Sequence, residues 1–184
     1  GFACAHNGNL TNASMLRKNL VADGSIFQTT SDTETILQLV ARSKRVPMVD
    51  KIVDALFQVQ GAYALVILTN KKLIGVRDPH GIRPLVLGDL NGAPVLASET
   101  CALDIIGAKY VRDVENGEIV IISESGIESV KPFPATKERP CIFERIYFSR
   151  PDSIVDGKTV YYYRKNLGEQ LAIENNINAD VVIP

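Results

Sequence analysis

The sequence predicts an α+β protein with layered packing, in which helices come first and an antiparallel meander of strands follows. Two observations support this fold class. Apolar residues recur mainly at helical spacing up to Gly61, and after Gly61 short β-rich segments alternate with turn signals. Because the period changes once along the chain, alternating βαβ units are not expected.

The helical part begins after a short apolar strand. Residues Phe2–Ala5 form that strand, and the following His6–Asn9 segment is expected to be a tight loop, because Asn-Gly favours a turn. Three helices then follow and end at recognisable stop signals. They run from Thr11 to Asp23-Gly24, from Thr30-Ser31-Asp32 to Pro47, and from Val49 to near Gly61.

The meander is expected to contain seven short strands and one short helix. The clearest hairpin turn is Asn91-Gly92, and the helix spans Thr100–Ile106. The expected strands are Ala62–Thr69, Lys72–Val76, Leu85–Gly88, Pro94–Ala97, Tyr110–Val114, Glu118–Ser123 and Ile127–Val130.

A domain boundary is predicted where the composition changes near residue 137. The segment Lys131–Pro140 has three prolines and no periodic pattern, so we divide the chain into domains 1–137 and 138–184. The second part holds the apolar, aromatic Ile142–Phe148, a helical pattern over Tyr161–Asn175, and the expected beginning of a buried strand at Asp180–Ile183.

Composition argues against polymeric and membrane partners. The 184 residues include 21 acidic and 20 basic side chains, with no long run of Lys or Arg, so neither a nucleic acid nor a membrane surface is expected. The apolar stretches are far shorter than the roughly 20 residues that span a bilayer. No secretory leader opens the chain, and its three widely spaced cysteines suit reduced thiols. We therefore expect a cytoplasmic protein.

The Asn7-Gly8 pair has two interpretations. One is a simple turn. The other is an oxyanion hole, in which the Asn7 carboxamide and the Gly8 backbone N–H converge on the negative oxygen of a tetrahedral intermediate.

The Ser31–Glu34 segment also has two interpretations. Ser31 and Glu34 have the spacing of a capping box at the start of a helix. Asp32 is not needed for that role, and its carboxylate could accept the ammonium group of an amino-acid substrate.

The Asp78–Pro84 segment is expected to be a rigid structural loop, because two prolines fix the backbone and Gly81 is free to adopt positive φ. His80 has no neighbouring Ser or Cys, so catalysis by His80 is disfavoured. The two histidines and three cysteines show none of the close pairings of zinc sites.

Four segments together resemble the glutamine phosphoribosylpyrophosphate amidotransferases, and the resemblance covers the whole chain. The segments His6–Asn12 and Thr30–Glu34 are shared more loosely by all class II glutaminases. The segments Arg77–Leu85 and Tyr147–Ser153 favour the purine enzymes.

The resemblance implies an N-terminal nucleophile hydrolase fold, two antiparallel sheets between helix layers, followed by the start of an α/β phosphoribosyltransferase domain. In this family an N-terminal cysteine attacks the glutamine amide. The released ammonia reacts with phosphoribosyl pyrophosphate to give 5-phosphoribosylamine, the first committed step of de novo purine biosynthesis. By this resemblance Asn7 and Gly8 form the oxyanion hole, and Asp32 holds the α-amino group of glutamine.

The sequence departs from the family at both ends. The family's nucleophilic cysteine and the arginine that binds the glutamine carboxylate precede the segment at His6 and are absent from this chain. We interpret Cys4 as a buried structural thiol. The pyrophosphate-binding loops are expected after Pro184, so the chain by itself is expected to be an inactive fragment.

Cofactors and partners follow from the resemblance. Mg²⁺ is expected with phosphoribosyl pyrophosphate in the missing domain, and none is expected in this fragment. Cys141 is a candidate ligand of a [4Fe–4S] cluster, because some members use a cysteine there while others have the cysteine and no cluster. The intact protein is expected to bind purine nucleotides as feedback inhibitors and to form a homo-oligomer.

Two alternatives remain. One is another class II glutamine amidotransferase with a different synthase domain. The other is a glutaminase-like module without a nucleophile, which binds or regulates and does not catalyse.

Overall fold

The computed structural model describes residues 1–175, 177–181 and 183. Strand β1 (Phe2–Leu10) runs antiparallel to β2 (Gly61–Thr69), and the register is continuous from the Phe2–Thr69 pair to the Leu10–Gly61 pair. The helical region lies between these strands in the sequence. Its three helices are α1 (Ala13–Ala22), α2 (Asp32–Arg42) and α3 (Met48–Leu56).

The remaining elements follow β2 along the chain. A five-residue π-helical segment, Glu144–Phe148, precedes the last helix. The strands are β3 (Leu73–Arg77), β4 (Val86–Leu90), β5 (Ala93–Ala97), β6 (Lys109–Asp113), β7 (Ile119–Ser123), β8 (Gly126–Val130), β9 (Ile154–Val155) and β10 (Lys158–Thr159), and the helices are α4 (Thr100–Ile106) and α5 (Val160–Glu174).

Two antiparallel sheets form the centre of the fold. One has the strand order β1-β2-β3-β7-β8, so that β1 lies at its edge, and the other has the order β5-β4-β6. Strands β9 and β10 form a separate short pair.

Three apolar clusters hold four layers together. The largest joins α1, α2 and α3 to the five-stranded sheet and contains Ile36, Ile52 and Leu65 with no exposed surface. A second cluster around Leu85 and Val120 lies between the two sheets, and a third packs Leu103 of α4 against the three-stranded sheet. Each fully buried side chain of this size contributes roughly 1.5–3 kcal/mol. The predicted helix–sheet–sheet–helix sandwich is therefore confirmed.

Most of the predicted elements are present. The Asn91-Gly92 hairpin turn is confirmed, and both residues have positive φ, 54° and 90°. The helical pattern at Tyr161–Asn175 corresponds to α5. The helix expected to continue to Pro47 ends earlier at Arg42, and Pro47 is instead the N-cap of α3. Among the described residues, no helix combines the length and the apolar character needed to cross a membrane.

Two predictions about strands were wrong. The expected loop at His6–Asn9 is part of β1, because Ala62–Leu65 of β2 pairs with it along its whole length. The strand expected at Asp180–Ile183 is not observed at residues 180, 181 and 183, which are exposed and pair with no other strand in the described part of the chain. Val182 lies outside the described residues.

Candidate functional site

The carboxamide of Asn7 is oriented by an arginine that lies far away in the sequence. Arg83 Nη2 donates a hydrogen bond to Asn7 Oδ1 at 2.7 Å. Because a guanidinium group has only donors, the oxygen of the amide must face it. The NH₂ group of Asn7 therefore points away from Arg83 and remains a donor for another acceptor.

Gly8 occupies a position that only glycine fits. Its φ is 149°, and a Cβ at this residue would lie 2.1 Å from the carbonyl oxygen of Ala62 in β2. The residue is exposed and lies on β1, the edge strand of its sheet. Asn7 and Gly8 therefore offer adjacent donor groups at a sheet edge, and they do so within a strand and not in a turn.

Asp32 is the first residue of α2 and lies beside the end of β1. Its Oδ2 accepts a hydrogen bond from the Leu10 N–H at 2.9 Å, and its Oδ1 lies 3.6 Å from His6 Nδ1. The Asp32 side chain is 25% exposed, whereas the His6 side chain is only 2% exposed. The fold thus brings Asp32 to the strand that carries Asn7 and Gly8, although 25 positions separate Asn7 from Asp32 in the numbering.

The start of α2 is capped differently from the predicted capping box. Ser31 is the N-cap, as expected, and its Oγ accepts a hydrogen bond from Thr33 N at 3.2 Å. Glu34 does not reach back to Ser31. Its carboxylate accepts from the N–H groups of Gln28 and Thr29 at 2.7 and 2.8 Å. The hydrogen bond from Gln28, together with those from Thr29, lowers the pKa of Glu34 below its ordinary value. The hydrogen bond that a capping box predicts from the Ser31 N–H to Glu34 is therefore wrong, because N–H groups of the preceding loop bind this carboxylate instead.

Hydrogen bonds among its own residues hold the Asp78–Pro84 loop in place, as expected of a rigid structural loop. The fully buried Asp78 carboxylate accepts hydrogen bonds from the N–H groups of His80 and Ile82 at 2.9 and 3.0 Å. Arg77 donates to the carbonyl oxygens of Arg83 and Val114, both at 2.9 Å. His80 Nδ1 lies 3.0 Å from the carbonyl oxygen of Lys137, which agrees with a structural role for His80.

Arg83 also contacts the segment after the predicted domain boundary. Its Nη1 lies 3.0 Å from Glu144 Oε1, and its guanidinium carbon lies 4.7 Å from the centre of the Phe148 ring. Glu144 is 6% exposed. Burial raises the pKa of Glu144, although the charge of Arg83 and a hydrogen bond from Ser149 act in the opposite direction. Sequence reasoning missed Arg83 as a site residue, and its only signal was its place in the Arg77–Leu85 motif.

The three cysteines are free, and none lies in a metal site formed by described residues. Cys4 is half-buried in β1 and packs against the largest apolar cluster, and burial raises the pKa of its thiol to about 11. Cys141 is half-buried, and its N–H donates to the Ile82 carbonyl oxygen at 3.2 Å. No group of three or more His, Cys, Asp or Glu residues in residues 1–175, 177–181 and 183 could hold a metal ion. Cys141 therefore has no described partners that would complete the ligand set of an iron–sulfur cluster.

Comparison with known proteins identifies the class. The family model of the glutamine amidotransferase domain matches residues 1–104, which is more than half of the chain, so this chain belongs to the glutamine amidotransferase family. Within that class, it is similar over its whole length to proteins named amidophosphoribosyltransferase. The Rhizobium etli amidophosphoribosyltransferase is 53% identical over 100% of this chain and 38% of its own length.

Other relatives agree. The chloroplastic amidophosphoribosyltransferase 2 of Arabidopsis thaliana is 52% identical over 97% of this chain and 32% of its own length. The structure of the glutamine phosphoribosylpyrophosphate amidotransferase from B. subtilis, complexed with ADP and GMP, has a TM-score of 0.94 and 47% identity over 97% of this chain and 39% of that chain. This chain therefore spans less than two fifths of the length of each relative.

Proposed function

We propose that this chain forms the glutamine-handling part of an amidophosphoribosyltransferase. In the complete enzyme, glutamine is hydrolysed to glutamate, and ammonia reacts with phosphoribosyl pyrophosphate to give 5-phosphoribosylamine and pyrophosphate, the first committed step of purine biosynthesis. The observation that carries the proposal is the arrangement at the edge of β1. The oriented Asn7 carboxamide, the glycine-only position of Gly8 and the Asp32 carboxylate lie together there.

Asn7 and Gly8 are proposed to stabilise the oxyanion. The N–H groups along a strand point alternately to its two sides, and the Leu10 N–H points to Asp32 and not to β2. Because the register continues through Gly8, its N–H is expected to face the same free edge. Each such donor is worth roughly 3–4 kcal/mol of barrier. Asp32 is proposed to bind the α-amino group of glutamine through the oxygen that faces away from Leu10.

The other groups of the reaction are assigned outside this chain. The nucleophilic cysteine, the arginine for the glutamine carboxylate and the Mg²⁺-dependent phosphoribosyl pyrophosphate site are proposed for the complete enzyme. For the complete enzyme we further propose Cys141 as a candidate iron–sulfur ligand, homo-oligomer formation and a cytoplasmic location. Within this chain we propose a domain boundary near residue 137. The ADP and GMP in the B. subtilis structure support purine nucleotides as regulators.

The test uses a full-length amidophosphoribosyltransferase that contains this chain. With glutamine and phosphoribosyl pyrophosphate we expect glutamate and pyrophosphate in equal amounts, and we expect ammonium chloride to replace glutamine. Glutamine hydrolysis that depends on a different acceptor would favour another class II amidotransferase. Glutamine binding without any turnover would favour the binding module.

A further inference from the structure

Arg83 contacts the candidate site on one side and the π-helical segment Glu144–Phe148 on the other. It makes a hydrogen bond to Asn7, an ion pair with Glu144 and a cation–π contact with Phe148. Only 16% of its side chain is exposed. A guanidinium group that is held on three sides has little rotamer freedom, so its donor to Asn7 has a fixed direction.

The direction of that donor matters because an asparagine amide has two orientations. In one, the NH₂ group is turned away from Arg83 and is free to donate to an oxyanion. In the other, the carbonyl oxygen takes that place and would repel an oxyanion. Since Arg83 carries no acceptor, it can pair only with the oxygen of Asn7, and this selects the first orientation.

The position of Arg83 depends in turn on the segment beyond the predicted boundary. Glu144 is buried and supplies the charge opposite Arg83, and the Phe148 ring covers the guanidinium group. Glu144 is itself held by a hydrogen bond from Ser149 Oγ at 3.0 Å. A change in this segment would therefore alter the donor that orients Asn7.

We propose that Arg83 is a positioning residue for glutamine hydrolysis, which fixes the Asn7 carboxamide with its NH₂ group toward the oxyanion and is itself held by Glu144 and Phe148. This inference rests on the oxyanion role proposed above for Asn7. It makes the geometry of the glutaminase site dependent on residues that follow the predicted domain boundary.

The test is a double-mutant cycle in a full-length amidophosphoribosyltransferase that contains this chain. Arg83→Met is expected to lower the glutamine-dependent kcat by about 10- to 100-fold, as a misplaced group does, with a much smaller change in the KM for glutamine. In the Asn7→Ala background the same substitution should lower kcat by less than about 2-fold, because Arg83 acts through Asn7. Glu144→Gln should lower kcat less than Arg83→Met does, and the two effects should not add.

Matched variants separate positioning from general stability. Arg112→Met breaks another partly buried ion pair, with Glu118 at 2.7 Å, and should lower Tm while leaving kcat unchanged. If Arg83→Met does not fold, Arg83→Lys takes its place in the cycle. Lysine keeps the charge beside Glu144 but lacks the planar fork that reaches both partners, so the same dependence on Asn7 is expected.

Two results would overturn the inference in distinguishable ways. If the Arg83 substitutions lower kcat equally with and without Asn7, Arg83 is only structural, and the proposed function stands. If Asn7→Ala alone leaves kcat unchanged, the oxyanion role itself fails, and the role of Arg83 fails with it.

Discussion

The carboxylate of Asp32 accepts a hydrogen bond from the Leu10 N–H at 2.9 Å, which joins the first residue of α2 to the last residue of β1. One carboxylate oxygen thus fixes the helix beside the strand. The other carboxylate oxygen lies 3.6 Å from His6 Nδ1, and a quarter of the Asp32 side chain is exposed. Asp32 therefore combines a structural contact with a charge that a ligand can reach.

Asp32→Asn should separate these two roles. Asparagine keeps an oxygen for the Leu10 N–H but loses the negative charge, so the glutamine KM of the full-length enzyme should rise by at least about 10-fold, more than kcat falls. Asp50→Asn, which removes an exposed carboxylate from the first turn of α3, is the control and should leave KM unchanged. An unchanged KM with a lower Tm for Asp32→Asn would instead favour a purely structural role.

Gly8→Ala should destabilise the protein strongly. The new Cβ would meet the Ala62 carbonyl oxygen at 2.1 Å, and the φ of 149° is unfavourable for alanine. Strain and overpacking together should cost about 3 kcal/mol or more. Urea unfolding measures this loss. Gly168→Ala in α5 is the control, because nothing lies within 4 Å of its Cβ position. A Gly8→Ala protein as stable as the native one would show that the β1–β2 geometry is wrong.

Cys4 should be inert as a nucleophile. Burial raises the pKa of its thiol to about 11, so at pH 8 the reactive thiolate is scarce. The 184-residue chain alone should produce no glutamate from glutamine above the buffer control, and iodoacetamide should modify Cys4 faster after unfolding in urea. Glutamine turnover that Cys4→Ala abolishes would mean that Cys4 is the nucleophile.

Because of the ion pair of Glu118 with Arg112, the free energy of unfolding should depend on pH in the acidic range. Burial alone would raise the pKa of Glu118, but hydrogen bonds from Arg112, Ser129 and the Glu115 N–H outweigh it and lower the pKa to about 2. Because the folded-state pKa lies below the unfolded value, ionised Glu118 stabilises the fold at neutral pH. This stabilisation is lost as pH falls from about 4.5 to about 2.

Glu118→Gln tests this dependence. The variant should be less stable than the native chain at pH 7, and the difference in unfolding free energy should shrink markedly by pH 3. Glu128→Gln changes an exposed residue of β8 and should show little difference at either pH. A constant Glu118→Gln difference from pH 7 to pH 2.5 would contradict the assigned pKa.

Local patterns predicted most of the fold. Periodicity and turn propensity, which depend on residues close together in the sequence, predicted the helices α1 and α3, the Asn91-Gly92 turn and the layered packing. The segment at Asn7-Gly8 was predicted as a loop from the same local chemistry. It is a strand because β2, more than 50 positions later, pairs with it, and a nonlocal register outweighs turn propensity.

The candidate site was predictable only in part. Asn7, Gly8 and Asp32 were selected by motif, and the structure brings them to one sheet edge. Arg83 could not be found this way, because its contacts with Asn7 and Glu144 bridge separations of 76 and 61 positions. Such contacts arise from the packing of the Asp78–Pro84 loop. The sequence indicates that this loop is rigid, but it does not indicate which residues the loop packs against.

The glutamine-dependent kcat of Asn7→Ala in the full-length enzyme tests the proposed oxyanion site most directly. Asn7 is proposed to act in the transition state, so kcat should fall by roughly 100- to 1000-fold while glutamine binding changes little. The ammonia-dependent synthesis of phosphoribosylamine should be preserved, and Asn70→Ala, at an exposed residue after β2, should match the native enzyme. A glutamine-dependent kcat within about 2-fold of native for Asn7→Ala would contradict the proposed oxyanion site.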